Sequence, residues 1–84
     1  MHYTYILRCK DNSLYTGYTN RLLYRIDMHQ QGKGAKYTAS RLPVKLVYVE
    51  EFETKSEALK REYAIKQLTK RQKEALIQGK GEQK

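Results

Sequence analysis

The chain has 84 residues with one cysteine, and its 17 Lys and Arg residues outnumber its 9 Asp and Glu residues, for a formal net charge of +8. This length is enough for one small domain, and a single cysteine excludes an internal disulfide partner and is typical of a reducing compartment such as the cytoplasm. No apolar run is long enough to span a membrane, so no membrane association is expected. The positive charge favours a polyanionic partner, with nucleic acid as the first candidate.

The N-terminal part of the sequence has the pattern of a β-hairpin. Residues 3–9 alternate with period two and are rich in β-forming types, which indicates a first strand. Turn-forming residues follow at 10–13, and residues 14–19 return to a β-type composition. Gly17 lies inside the second strand, where a glycine indicates the close approach of another group.

A helix and a third strand are predicted next. Thr19 or Asn20 is expected to cap a helix that ends at Gly32. Residues 32–41 are basic and contain two glycines, so we expect a loop there. Residues 44–52 place apolar groups on both faces of an extended chain. That pattern favours an interior strand, which we predict to be the most buried of the three.

Two capping-box signatures predict the last two helices. Thr54 with Glu57 begins the first, and Thr69 with Gln72 begins the second. The element order is therefore β-β-α-β-α-α, a small α+β fold. The domain is expected to cover residues 1–78, and residues 79–84 are expected to form a flexible basic tail.

Glu62 stands in the apolar stripe of the first of these helices, whose other members are Ala58, Leu59, Tyr63, Ile65 and Leu68. At about 100° per residue, Glu62 projects between Ala58 and Ile65, on the arc that should face the sheet. Because an unpaired buried charge is costly, this carboxylate needs a cation, a metal or a water-filled cleft. An ion pair with Lys66, one turn further on, is the alternative to a functional role.

Arg25 and His29 have the spacing of neighbours on one helix face, so both can reach over the end of the sheet along one wall of a cleft. The guanidinium fork suits phosphate oxygens, and histidine titrates near neutral pH. The pair can therefore hold a phosphate and move a proton. Two solvated basic groups on a helix surface are the alternative interpretation.

Together these features resemble the GIY-YIG nuclease family, and most closely its short bacterial members that consist of little but this domain. Tyr3-Thr4-Tyr5 stands where the family has its first triplet, and Tyr15-Thr16-Gly17 stands where it has the second. Tyr15 follows Tyr5 by ten residues, Arg25 follows Tyr15 by ten more, and a glutamate lies on a late helix. The resemblance covers residues 2–78, and it implies a three-stranded antiparallel sheet flanked by helices.

The resemblance also implies a metal-dependent endonuclease. Glu62 would be the sole protein ligand of one divalent cation, Mg²⁺ or Mn²⁺, completed by waters and phosphate oxygens. Arg25 would offset charge on the phosphate in the transition state. Tyr5, Tyr15 and His29 would orient or deprotonate the attacking water, with one of them as the general base.

This site sets a geometric condition on the hairpin. Opposed residues of a hairpin share one face of the sheet, so Tyr5 and Tyr15 reach the same cleft when the loop has an odd number of residues. We therefore predict a loop of three or five residues, since a two-residue turn would place the two tyrosines on opposite faces.

Substrate binding is expected to involve a further set of basic and aromatic residues: Lys33, Lys36, Tyr37, Arg41, Lys66, Lys70 and Arg71. A domain of this size offers few base-reading elements, so we expect recognition of the structure rather than the sequence of DNA, as in repair or recombination.

Two alternatives stay open at this stage. One is a nucleic-acid-binding module of the same fold without useful catalysis, and the other is a small basic interaction protein of a ribosomal or repair complex. The sequence does not set the oligomeric state.

Overall fold

A three-stranded antiparallel sheet lies at the centre of the fold, with strand order β2-β1-β3. The computed structural model describes residues 1–79, so the tail predicted for 79–84 lies, beyond Gly79, outside the described residues. The strands are β1 (His2–Arg8), β2 (Leu14–Thr19) and β3 (Lys45–Phe52).

Four helices accompany the sheet: α1 (Leu22–Gln30), α2 (Lys36–Ala39), α3 (Lys55–Lys66) and α4 (Lys70–Ile77). The strands and the three longer helices confirm the predicted order and the α+β class. The four-residue helix α2 was not predicted, because its sequence was interpreted as part of a basic loop. No helix among residues 1–79 is long and apolar enough to cross a membrane.

The interior strand is β1, so the prediction that the third strand is interior and most buried was wrong. Four consecutive residues of β1, Thr4 to Leu7, are fully buried, whereas β3 lies at an edge and consists of exposed and half-buried residues. The buried Thr4 hydroxyl is satisfied because it donates to the Ala58 carbonyl of α3 at 2.7 Å. Threonines that look polar in the sequence therefore occupy core positions here.

The two faces of β1 contribute to different cores. Tyr5 and Leu7 pack on one face with α1, and Ile6 packs on the other face with Ile65 of α3 and Leu76 of α4. The outer edge of β2 is a border between these two faces, because no strand formed by residues 1–79 lies beyond it.

The loop of the β1–β2 hairpin covers residues 9–13, which confirms the predicted odd length. Leu7 is paired with Tyr15 and Tyr5 with Gly17, so Tyr5 and Tyr15 lie on the same face of the sheet. Their ring centroids are 6.5 Å apart.

The ends of the helices follow the predictions in part. Both predicted capping boxes are present, at Thr54 and at Thr69. Helix α1, however, begins after Arg21 and has no side-chain cap, since Thr19 instead accepts a hydrogen bond from the Arg21 amide at 3.0 Å. Its C-terminal end is as expected. Gly32 has φ +80°, and the amides of Gly32 and Lys33 bond back to the helix in the pattern of a Schellman motif.

Helix α3 buries a narrower stripe than predicted. Ala58 and Ile65 are fully buried, but Leu59 and Tyr63 are 39% and 69% exposed. These two residues lie about 100° around the helix from the line through Ala58 and Glu62, beyond the arc that contacts the sheet. Glu62 lies within that arc, and its side chain is 19% exposed, as its position in the sequence predicted.

An ionic network joins β1 to α4. Arg8 donates two hydrogen bonds of 2.7 Å to the carboxylate of Glu74, and Lys70 donates a third, also of 2.7 Å. The hydrogen bonds from Arg8 and Lys70 lower the pKa of Glu74 from 4.5 to about 2, and the bond from Arg8 has the larger effect. The network therefore holds α4 against the sheet when Glu74 is ionised.

We expect the free energy of unfolding to decrease as the pH falls from about 4.5 to about 2, because protonation of Glu74 is harder in the folded than in the unfolded chain. Glu74→Gln should lack this part of the pH dependence and should be less stable than the wild type by about 1 kcal/mol at neutral pH. Urea unfolding at neutral pH and at a pH between those two values measures both effects. Glu51→Gln, which changes an exposed carboxylate of β3, is the control. An acid dependence that is the same in Glu74→Gln as in the wild type would contradict the assignment.

Candidate active site

A chain of buried hydrogen bonds connects β1, α1 and α2. The Tyr5 hydroxyl lies 2.8 Å from Nε2 of His29, and Nδ1 of the same ring lies 2.9 Å from Oγ1 of Thr38. All three side chains are fully buried. His29 is therefore not one of two solvated basic groups on a helix surface, which was the alternative interpretation of its spacing from Arg25.

The partners of this chain fix the direction of its hydrogen bonds. Oγ1 of Thr38 donates to the Ala35 carbonyl at 3.2 Å, because a carbonyl can only accept. Thr38 must then accept from His29, which places the ring proton on Nδ1. Nε2 is left as an acceptor for the hydroxyl proton of Tyr5. In this arrangement His29 is neutral and accepts a hydrogen bond from Tyr5.

Electrostatics favour the same protonation states. Burial, and then the nearby positive charge of Arg25, lower the pKa of His29 below its ordinary value of 6.5. Burial raises the pKa of Tyr5 to about 12, the nearby guanidinium of Arg25 opposes that rise, and the charge of Glu62 adds to it. Tyr5 and His29 are both neutral at neutral pH as a result.

Two glycines make room for this chain. A Cβ atom on Gly17 would lie 2.5 Å from the Tyr5 hydroxyl, and one on Gly34 would lie 2.4 Å from Nδ1 of His29. The close approach that the sequence predicted at Gly17 is thus present, and the approaching group is the Tyr5 ring. The Gly34 carbonyl also accepts a hydrogen bond of 2.9 Å from Nη2 of Arg25.

Aromatic rings surround His29 on the side of β2. The Tyr15 ring meets the His29 ring edge-on, with centroids 5.2 Å apart, and it stacks on Tyr37 of α2 at 6.2 Å. Arg41 lies over the Tyr37 ring, with Cζ 3.8 Å from the ring centroid, and its guanidinium also pairs with Asp11. A base that stacked on that face of Tyr37 would have to displace Arg41.

Glu62 approaches the site from the opposite face of the sheet. It belongs to α3, whose buried Ile65 packs with Ile6 in the other core, yet its charge acts on Tyr5. The structure therefore brings four of the predicted residues together on one face, namely Tyr5, Tyr15, Arg25 and His29. Glu62 lies on the helix that covers the other face, and its contact there is with Lys66.

The donor set at Glu62 suits a hard cation that keeps most of its waters. Among residues 1–79 no group of three or more His, Cys, Asp or Glu side chains could form a protein cage for a metal ion. One carboxylate with open solvent positions is compatible with Mg²⁺ or Mn²⁺. In the structure Nζ of Lys66 lies 3.0 Å from Oε2 of Glu62, so a metal ion at this carboxylate would compete with the ammonium group.

The predicted nucleic-acid-binding residues divide into two groups. Four lie on or beside α2: Lys33, Lys36, Tyr37 and Arg41. Lys66, Lys70 and Arg71 belong to α3 and α4 on the other face. Lys66 and Lys70 each have a carboxylate partner, Glu62 and Glu74 respectively. That these residues bind nucleic acid stays a prediction.

Thr38 and Gly34 are site residues that sequence reasoning missed. Both lie in the segment interpreted as a basic loop, and no periodicity marks either of them. The two glycines of that segment were the available signal, since a glycine can mark the close approach of a backbone to another group. What approaches Gly34 depends on tertiary packing and cannot be read from the sequence.

Comparisons with known proteins agree with this geometry. A family model described as the GIY-YIG catalytic domain matches residues 1–75 of the chain. UPF0213 protein CPE1444 of Clostridium perfringens is 62% identical over 80 residues, which cover 95% of this chain and 86% of that protein. UPF0213 protein OB0043 of Oceanobacillus iheyensis is 58% identical over 77 residues, which cover 92% and 90%.

Two solved structures are similar throughout. The solution NMR structure of the UPF0213 protein BH0048 from Bacillus halodurans has 52% sequence identity and a TM-score of 0.62, and the match covers 96% of this chain and 86% of that chain. The solution NMR structure of protein EF2693 from E. faecalis has 48% identity and a TM-score of 0.63, with coverage of 93% and 83%. The chain belongs to the GIY-YIG family of nuclease-like domains and to its UPF0213 group of small proteins.

Proposed function

We propose that this protein is a divalent-metal-dependent endonuclease that hydrolyses phosphodiester bonds of DNA. One observation carries the proposal: a buried, neutral His29 accepts a hydrogen bond from Tyr5, where the charges of the Arg25 guanidinium and the Glu62 carboxylate both act. A purely structural histidine would not need the charges of Arg25 and Glu62 close to its hydrogen-bond partner, and family membership supports the same reaction class.

In the proposed reaction the water oxygen forms a bond to phosphorus, and the bond from phosphorus to the leaving sugar oxygen breaks, with that oxygen taking a proton from solvent. The attacking water transfers a proton to the Tyr5 oxygen while Tyr5 transfers its own proton to Nε2 of His29. A free tyrosinate is scarce at neutral pH because the pKa of Tyr5 is raised to about 12, so the two transfers are coupled. His29 thus acts as the proton acceptor without touching solvent. Tyr15, which is half-buried beside the His29 ring, orients the water.

Arg25 supplies positive charge to the phosphate. One guanidinium nitrogen is held by the Gly34 carbonyl, so the orientation of the group is set before substrate arrives. Its remaining N–H donors can bind phosphate oxygens as charge develops on them. A divalent cation held by Glu62 and waters would polarise the same phosphate.

The substrate is expected to be distorted or branched DNA, in repair or recombination. The net charge of +8 favours a polyanion. The site lies at an edge of a three-stranded sheet without a long recognition helix beside it, which favours reading DNA shape over base sequence.

We expect wild-type protein to cut labelled single-stranded, duplex, flap or four-way-junction DNA with Mg²⁺ or Mn²⁺ and to stop when a chelator is added. Glu62→Gln should reduce the cleavage rate by at least ~100-fold, because the metal loses its protein ligand, and should leave binding of DNA nearly unchanged. Glu53→Gln, which alters an exposed carboxylate outside the site, is the matched control. Cleavage that survives in Glu62→Gln would refute the assigned role of Glu62.

A second candidate function is a nucleic-acid-binding module that does not cut. The ion pair between Glu62 and Lys66 favours it, because an ammonium group occupies the carboxylate that would hold the metal. The two candidates differ in whether a divalent cation can displace Lys66.

We expect Lys66→Met to bind Mn²⁺ more tightly than the wild type, because the competing ammonium group is absent. The gain should be about fivefold, the effect of one partly exposed ion pair. Electron paramagnetic resonance of free Mn²⁺ measures the affinity without any cleavage assay. Lys60→Met removes an exposed lysine from the same helix and should leave the affinity near that of the wild type. No Mn²⁺ binding by any of the three proteins would favour the binding module.

The pH dependence tests the state of His29. Cleavage should persist below pH 6.5 and then decrease by about tenfold per pH unit below the pKa of His29, because a protonated ring cannot accept the Tyr5 proton.

Arg25→Met should raise the pKa of His29, since it removes the nearby positive charge, and Arg21→Met at the start of α1 is the control. An NMR titration of the His29 ring protons measures these values. A His29 pKa that is unchanged or lower in Arg25→Met would contradict the electrostatic account.

A further inference from the structure

A cleft of about 290 Å³ opens at the outer edge of β2. It is lined from three sides by residues of β2, α2 and the α3–α4 pair: Leu14, Tyr15, Thr16, Tyr37, Lys66 and Lys73. Tyr15 belongs to the candidate active site as well, so the cleft is directly adjacent to that site. Among residues 1–79 no carboxylate lines the cleft, and the two charged residues in its wall are lysines.

The Thr16 hydroxyl is the one buried side-chain polar group among residues 1–79 without a hydrogen-bond partner. The residue is 4% exposed and faces the side of the sheet covered by α3 and α4. Its neighbour Thr4 on β1 satisfies the same kind of group by donating to the Ala58 carbonyl. A hydroxyl left without an acceptor beside a cleft can be satisfied by an oxygen in that cleft, either of a water or of a ligand.

Lys73 supplies positive charge that nothing else uses. It is half-buried in the wall of the cleft, and within residues 1–79 it has no carboxylate partner, unlike Lys66 and Lys70. A hydroxyl donor and lysine ammonium groups in the wall of one cleft have the chemistry of a phosphate site, since these groups donate hydrogen bonds and compensate negative charge.

We propose that this cleft binds a second phosphate group of the nucleic acid, next to the one held at the candidate active site. The inference rests on the proposed function, in that nucleic acid is taken as the ligand. The volume lies just below the range of about 300–1,000 Å³ typical of small-molecule pockets, which suits one phosphate with its sugar and excludes a duplex. The phosphate would fix the strand so that the neighbouring bond lies against Tyr5, Tyr15 and Arg25.

The phosphate can come from two sources, a terminal monoester or an internal diester of the strand. A monoester carries more charge and more free oxygens, so binding it would direct the site to strand ends. An internal diester would make the cleft a tracking site along a continuous strand.

Binding is tested without metal, in chelator, so that the result does not depend on cleavage. The proteins are wild type, Thr16→Val, Lys73→Met and the control Lys45→Met, which removes an exposed lysine from β3 at the opposite edge of the sheet. The probes are inorganic phosphate, followed by the amide NMR signals of the cleft residues, and a labelled short single strand with or without a 5′-phosphate, followed by fluorescence anisotropy.

Thr16→Val and Lys73→Met should each weaken binding of the strand by about tenfold, the effect of a lost hydrogen bond or ion contact to a charged group. Lys73→Met should also make log affinity fall less steeply with log salt concentration, by the amount that corresponds to about one lost phosphate contact. Lys45→Met should change neither the affinity nor this slope appreciably. Thr16→Val should unfold at the same temperature as the wild type or higher, because a methyl group replaces an unsatisfied hydroxyl. A merely structural role for Thr16 would instead lower that temperature.

The two arms of the experiment identify the source of the phosphate. A loss of affinity confined to the 5′-phosphorylated strand assigns a terminal monoester, and an equal loss for both strands assigns an internal diester. Affinities in Thr16→Val and Lys73→Met that match Lys45→Met would overturn the proposal, even if the wild type cuts DNA. If no protein cuts DNA but both cleft variants bind more weakly, the phosphate site stands and the proposed nuclease function fails.

Discussion

The hydrogen bond between Tyr5 and His29 is the contact on which the rest of the site depends. It joins the central strand to the end of α1 in the interior of the protein, and it can form because Gly17 and Gly34 leave space for the two rings. Burial lowers the pKa of the histidine and raises that of the tyrosine, so the contact is between neutral groups. The same burial that stabilises the fold therefore keeps the His29 ring neutral, as the proposed role of proton acceptor requires.

The position of β2 at an edge of the sheet explains how residues from both faces meet. Tyr5, Tyr15 and His29 lie on the α1 side, whereas Glu62 and Lys66 come from α3 on the other side. A strand beyond β2 would separate them, because side chains on opposite faces of an interior strand do not meet. At this free edge Tyr15 and Lys66 line one cleft, and Lys66 pairs with Glu62.

Much of the fold and part of the site could be predicted from the sequence, for identifiable reasons. Opposed residues of a hairpin always share one face of the sheet. Tyr5 and Tyr15 could therefore share a face only if the loop had an odd number of residues, as the loop in the structure does. Capping boxes at Thr54 and Thr69 are local, and both were found. The interior strand was misassigned because Thr4 looks polar, although its hydroxyl is satisfied by a helix carbonyl 54 residues away. Thr38 depends on tertiary packing in the same way, and local patterns do not report such contacts.

The central claim is that a neutral His29, protonated on Nδ1, is held ready to take the proton of Tyr5. Nitrogen-15 NMR of the His29 ring in the wild-type protein at neutral pH tests this claim most directly, because the two ring nitrogens have distinct chemical shifts in each tautomer. The account predicts a protonated Nδ1 that donates to Thr38 and an unprotonated Nε2 that accepts from Tyr5. A proton on Nε2, or a doubly protonated ring, would contradict it, since Tyr5 would then have no acceptor for its proton.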